Sequence, residues 1–225
     1  MGQMRNPCAR RAIRPPHVDF CAEHVRLVSH STYGKSILIE VKENFVNYYG
    51  AKNLAESFRT VRKNTLAIAQ DIPEDKYDFR PMPETRSVGE LLAHIALSNA
   101  FQKKVHGEER LNTLAGFDFP SFMKRMRAEE KEQRTKAQMM ELLSREGEAW
   151  AKWMEGLDEH FLGEVITMPP GGTPPARTRF DMILSVKEHE MHHRGQLMLI
   201  ERMLGIVPHL TRRMQERNAA SAPRK

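Results

Sequence analysis

Residues 187–204 read KEHEMHHRGQLMLIERML, and the reading of this stretch decides the fold. Met182, Val186, His189, His193, Gln196, Leu197, Ile200 and Leu204 recur at three- and four-residue spacing. That is the period of an α-helix with one inward face. Positions four apart on such a helix differ by about 40° in azimuth and lie roughly 6 Å apart along the axis. His189 and His193 therefore point with the apolar stripe, whereas His192 lies about 60° to the other side of His189. Two imidazoles at i and i+4 can hold one metal ion. A lone histidine on an apolar face is more often a core residue bonded to a carbonyl. Three histidines within five positions, two of them on the stripe, favour a metal site.

The rest of the composition bounds the setting. The chain has 225 residues, 40% hydrophobic and 28% charged, enough for one domain with a sizeable core. No apolar run approaches the ~18 residues of a membrane span. The N-terminus is Arg-rich but has no apolar h-region, so no secretory signal is expected. Cys8 and Cys21 form no CxxC pattern and suggest neither a disulfide framework nor a zinc knuckle. A cytoplasmic, reducing location is the simplest expectation. Of the net charge of +6, residues 1–45 carry +3 and residues 211–225 carry +4, leaving the body at −1. Nucleic-acid binding by the body is discounted on that distribution.

Three segments are expected: a flexible or irregular extension over 1–45, a helical domain over 46–210, and a basic tail over 211–225. Within the extension, the apolar run 37–41 is a candidate irregular strand or first turn. The spacing of Leu54, Phe58, Val61, Thr65 and Ile68 predicts a helix over about 52–71, stopped at Pro73. Pro81-Met82-Pro83 forms a rigid connector. Ser87 with Glu90 reads as a capping box opening a helix that runs to Gly107. His94 shares a face of that helix with Leu91, Ser98, Phe101 and Val105. Alone it would be a core histidine; beside His189 and His193 it becomes the natural third ligand.

Residues 108–120 read as loop, followed by helix over 121–132 and 135–156. In this region Met139, Leu142, Trp150, Trp153 and Met154 are core positions and the alternating charges form a solvated face. Residues 157–176 read as loop, and PPGG within it carries little weight as a phosphate loop because no GK[ST] follows. Thr178 caps a final helix over 179–204, ended by Gly205 and Pro208. The remainder reads as one further helical turn and a frayed end. The economical fold is all-α: a four-helix bundle with a metal site between helix 2 and the last helix.

SVGELLAHIALSN (87–99), HEMHHRGQLMLIERMLGIVP (189–208) and LAESFRTVRKNTLAIAQDIPEDKYDFRP (54–81) together resemble the DinB-like family of bacterial four-helix-bundle metalloproteins. The resemblance spans about 46–210. It implies an up-down-down-up bundle and a divalent ion, zinc or nickel, held by His94, His189 and His193 with one position open. It makes His192 a neighbour and not a ligand. It further implies a thiol-dependent S-transferase, with a low-molecular-weight thiol as cosubstrate, or a related metal-assisted reaction on a small molecule; such an ion could equally activate water. Homodimers occur in the family, and the family name implies no DNA binding. Asn99, Glu190 and Gln196 are candidates to orient the imidazoles.

HEMHH (189–193) also matches the zincin H-E-x-x-H, with Glu190 as general base. That reading needs a substrate-aligning sheet, and the sequence shows no such strands. A longer metzincin motif would require Gly and His where Gln196 and Leu199 stand. A zincin-like hydrolase and a non-catalytic bundle remain the alternatives.

Overall fold

The computed structural model describes residues 49–221. The expectations for 1–45, and the last residues of the basic tail, lie outside them. The element order is α1 (Ala51–Asp71), a 3-10 turn at Glu74–Lys76, α2 (Val88–Leu97), α3 (Ala100–Gln102), a π-helical turn at Lys103–Glu108, α4 (Phe119–Glu130), α5 (Lys136–Glu155), α6 (Glu159–Gly163), β1 (Val165–Thr167), β2 (Ala176–Thr178), α7 (Arg179–Met203) and α8 (His209–Ser221).

Local chemistry sets most of these boundaries. Ser87 accepts from the Glu90 amide while the Glu90 carboxylate accepts from the Ser87 amide, so both orphan donors at the start of α2 are satisfied. Thr135 and Gln138 make the same box at α5. Thr178 accepts from the Asp181 amide to open α7. Gly205, at φ +77°, ends it in the left-handed region where a side chain would be strained.

Side-chain contacts give the helix directions. Lys187 of α7 meets Ser57 of α1, and Glu190 meets Thr65, so α1 and α7 run together. Arg59 pairs with Glu148 and Glu155, whereas Lys136 donates to the Gln70 carbonyl, so α5 runs against α1. His94 faces His189 while His106 faces Arg179, so α2 and its π extension run against α7. The bundle of α1, α2, α5 and α7 is therefore up-down-down-up.

The core fills two levels of this bundle. Ile68, Leu92, Leu143 and Leu197 belong to one buried cluster; Leu54, Phe58, Trp150, Met154, Ile183 and Val186 belong to another. Between these levels lies Arg62, only 4% exposed. Its guanidinium grips both oxygens of Glu190 on α7 and donates to the carbonyls of Leu143 on α5 and Ile95 on α2. Thr65 donates to the same carboxylate at 2.7 Å. One cation thus ties α1 to the other three helices, and each buried charge has its partner. Gly147 makes the room: a Cβ there would lie 2.8 Å from the Arg62 side chain.

The structure departs from the sequence reading in four places. The second helix is not continuous to Gly107; it breaks after Leu97 and resumes as α3 and the π-helical turn. Gly107 is no helix stop, but lies within the π-helical turn against the Trp153 ring. The loop expected over 157–176 contains α6 and a two-stranded antiparallel ribbon pairing Val165 with Thr178 and Thr167 with Ala176. That ribbon delivers the chain to the α7 cap. α8 is 13 residues long, not one turn.

Candidate metal centre

His94 leaves α2, and His189 and His193 leave α7, at the level where these antiparallel helices face one another. Their ligand atoms all lie within 4.8 Å of one another. His189 Nε2 is 3.0 Å from His94 Nε2 and 3.0 Å from His193 Nε2. Nitrogens sharing one tetrahedral zinc ion at ~2.0–2.1 Å would sit about 3.4 Å apart, so a small adjustment makes room for such an ion.

The opposite ring atoms of His94 and His193 are held by polar partners. His94 Nδ1 donates to Glu130 Oε1 at 2.6 Å, and Glu130 also accepts from Arg86 Nε at 2.9 Å. His193 Nδ1 donates to Gln196 Oε1 at 2.8 Å, and the Gln196 amide faces His192 Nε2 at 3.2 Å. A carboxylate can only accept, so it places the His94 proton on Nδ1 and the lone pair on Nε2, toward the cluster. Gln196 does the same for His193.

The electrostatics favour neutral rings at His189 and His193. Burial, then the facing imidazoles of His193 and His94, push His189 down to about 4. Burial lowers His193 as well, against the bond to Gln196. Neutral imidazole is the form that binds metal. Burial alone would raise Glu130, but its bond to His94 and its pairing with Arg86 outweigh that and hold the carboxyl below its usual range.

The three histidines singled out in the sequence are thus brought together, and His192 stands beside them with its ring directed to Gln196. Of the three residues suggested to orient them, only Gln196 does so. Asn99 donates to the Glu146 carbonyl, and Glu190 is bound to Arg62 and Thr65 on the side facing α1. Glu190 is fully buried there, engaged by Arg62 and Thr65, and is not presented as the base of an H-E-x-x-H site. Among the described residues, moreover, the only sheet is the short β1–β2 ribbon. The sequence reading missed Glu130, taking its segment's charges for a solvated face. Its position eight residues after Phe122 and four after Met126 puts it on the inward stripe of α4, which was the available signal.

A cavity of about 810 Å³ opens on the His193 side. Leu91, Ile200 and Met203 give it an apolar floor, and Arg80, Arg86, Arg127 and Lys131 bring positive charge to its wall. A polar and apolar cleft of this size, with titratable groups at one end, suits a small organic ligand.

The profile of the DinB superfamily matches residues 57–197. No curated protein matches the chain. Among solved structures, the DinB-like protein YjoA from Bacillus subtilis is 24% identical with a TM-score of 0.50, over 68% of this chain and 92% of its own. YfiT from Bacillus subtilis, described as a probable metal-dependent hydrolase with an unusual four-helix bundle topology, is 13% identical with a TM-score of 0.55, over 74% of this chain and 94% of its own. At these identities the two structures speak to the fold.

Proposed function

The chain belongs to the DinB superfamily, and from that premise we propose that it is a divalent-metal-dependent enzyme acting on a small molecule, with His94, His189 and His193 as the protein ligands. The observation that carries the reading is the convergence of three Nε2 atoms, with the opposite ring positions of His94 and His193 engaged by Glu130 and Gln196. An ion bound there would keep an open position and its full charge, able to hold a thiol as thiolate or to activate water.

We favour the thiol reading, an S-transferase, with zinc or nickel as the metal. Two carboxylates are committed, Glu130 to His94 and Arg86, and Glu190 to Arg62. Neither of these two is thus left to act as a base. A thiol, with its ordinary pKa near 8.5, needs no protein base to lose its proton close to a cation. Hydrolysis is the second reading, favoured by the description of YfiT.

Elemental analysis of wild type, His94→Ala and Glu190→Gln, purified without chelator, tests the ligand set. Stoichiometric metal is expected in wild type and Glu190→Gln, and little in His94→Ala. Metal retained by His94→Ala would overturn the assignment. The cobalt-substituted protein titrated with 2-mercaptoethanol then separates the two chemistries. A new sulfur-to-cobalt charge-transfer band supports thiol activation, and its absence favours hydrolysis.

A further inference from the structure

A second cavity, of about 370 Å³, opens on the His94–His189 side of the cluster. Leu97, Phe101, Phe119, Phe122, Met123 and Met126 make most of its wall, and His94, His189 and Glu130 close one end. Glu130 lines both cavities, so α4 forms a partition between them. The two differ in character. The larger is edged by arginine and lysine, whereas the smaller has neither. The carboxylate of the smaller cavity is engaged by His94 and Arg86, and its Gln102 is bonded to His106. Apart from an ion held by the histidines at its end, a charged ligand entering it would lose its water without gaining a counter-ion from the wall.

The aromatic wall is already assembled. The Phe101 ring lies 5.3 Å from that of Phe117, 5.1 Å from Phe119 and 5.7 Å from Phe122, with edge-to-face or tilted geometry. An apolar cavity of roughly 150 Å³ is enough to hold benzene, so this one has space for one to two rings. α4 stands outside the four-helix bundle, and its Met126 packs against the cluster of Ile68, Leu92, Leu143 and Leu197. Its inward stripe of Phe122, Met126 and Glu130 supplies a wall to the cavity and a partner to His94.

We propose that the Phe-lined cavity is a subsite for an uncharged aromatic group of one to two rings, presented to the His94–His189 face and separate from the ligand on the His193 side. The proposal rests on the metal-site reading, of which it names the apolar half of the substrate.

The test is ¹⁹F NMR of 4-fluorobenzyl alcohol with the full chain, metal-free and cobalt-loaded. Saturable broadening is expected in both forms, with added paramagnetic broadening in the cobalt form. Met123→Glu puts a carboxylate at a wall position that is 36% exposed, where the fold tolerates it. Ser185→Leu fills the cavity with apolar atoms. Each is expected to weaken binding about tenfold or more, with an unchanged circular dichroism spectrum. Binding unaffected by both variants, or no saturable binding to wild type that retains stoichiometric cobalt, would overturn the subsite and leave the metal reading standing. Saturable, variant-sensitive binding without any cobalt effect would support the subsite and overturn the metal reading instead.

Discussion

Glu130 makes the three histidines more than a cluster of polar side chains. By accepting from His94 Nδ1 it fixes the tautomer, and its negative charge raises the basicity of Nε2. Glu130→Gln keeps an acceptor but removes the charge. Metal affinity is expected to fall about 10–100-fold, measured by competition with a chromophoric chelator. Unchanged affinity would assign Glu130 to Arg86 alone. A different residue sets a pH dependence far from this site. Glu201 is fully buried on α7, and neither carboxyl oxygen has a hydrogen-bonding partner among the described residues. Burial, then the charge of Asp71, push it up to about 7, with Arg212 and Arg202 opposing. The native state therefore favours the protonated acid. Its contribution is present below the ordinary carboxyl value of about 4.5 and is lost as pH rises through about 7. Glu201→Gln is expected to match wild type in acid and exceed it at pH 8 by on the order of 3 kcal/mol. Urea unfolding at the two pH values measures this, and an equal difference at both would remove Glu201 as its source.

At the scale of elements, α5 carries a glycine where helix propensity would prefer alanine. Gly→Ala in an exposed helix gains about 1 kcal/mol, but at Gly147 the new Cβ would meet Arg62 Cγ at 2.8 Å and Nη1 at 2.9 Å. Arg62 cannot swing away, being held at once by Glu190 and the carbonyls of Leu143 and Ile95. Gly147→Ala is therefore expected to destabilise by about 1–3 kcal/mol, as overpacking does, in a denaturant titration. A gain in stability would show that Arg62 is loosely held. This close approach was illegible in the sequence because it joins residues on different helices. The helices themselves were legible, since Ser87 with Glu90 and Thr178 are local signals and the Leu54–Phe58–Val61 stripe is periodic. So was the pairing of His94 with His189 and His193, because all three sit on inward stripes. The β1–β2 ribbon escaped notice because three-residue strands leave no alternation to detect. Glu190 misled for the converse reason. Its neighbours spell a zinc-peptidase motif, but here the Glu190 carboxylate is taken up by Arg62 and Thr65, long-range partners on α1 that the local motif does not reveal.

At the scale of the whole molecule, the proposed metal site and the fold draw on different interactions. The histidines join only α2 and α7. The core clusters and the Arg62 network join all four bundle helices. Each fully buried Leu, Ile or Phe side chain contributes about 1.5–3 kcal/mol, and residues such as Phe58, Ile68, Leu92, Leu143 and Ile183 span both levels of the core. Structural zinc is usually held by four protein ligands, and small domains that depend on it unfold when it is removed. Three ligands on a bundle with its own core predict the opposite. Stripping metal with a chelator should leave the far-ultraviolet dichroism unchanged and lower Tm only by the linkage term, about 4 kcal/mol for free metal at a thousand times Kd. Restoring metal should restore Tm. Collapse of the helical signal on metal removal would make the ion a structural element, and the non-catalytic bundle would become the better account of the chain.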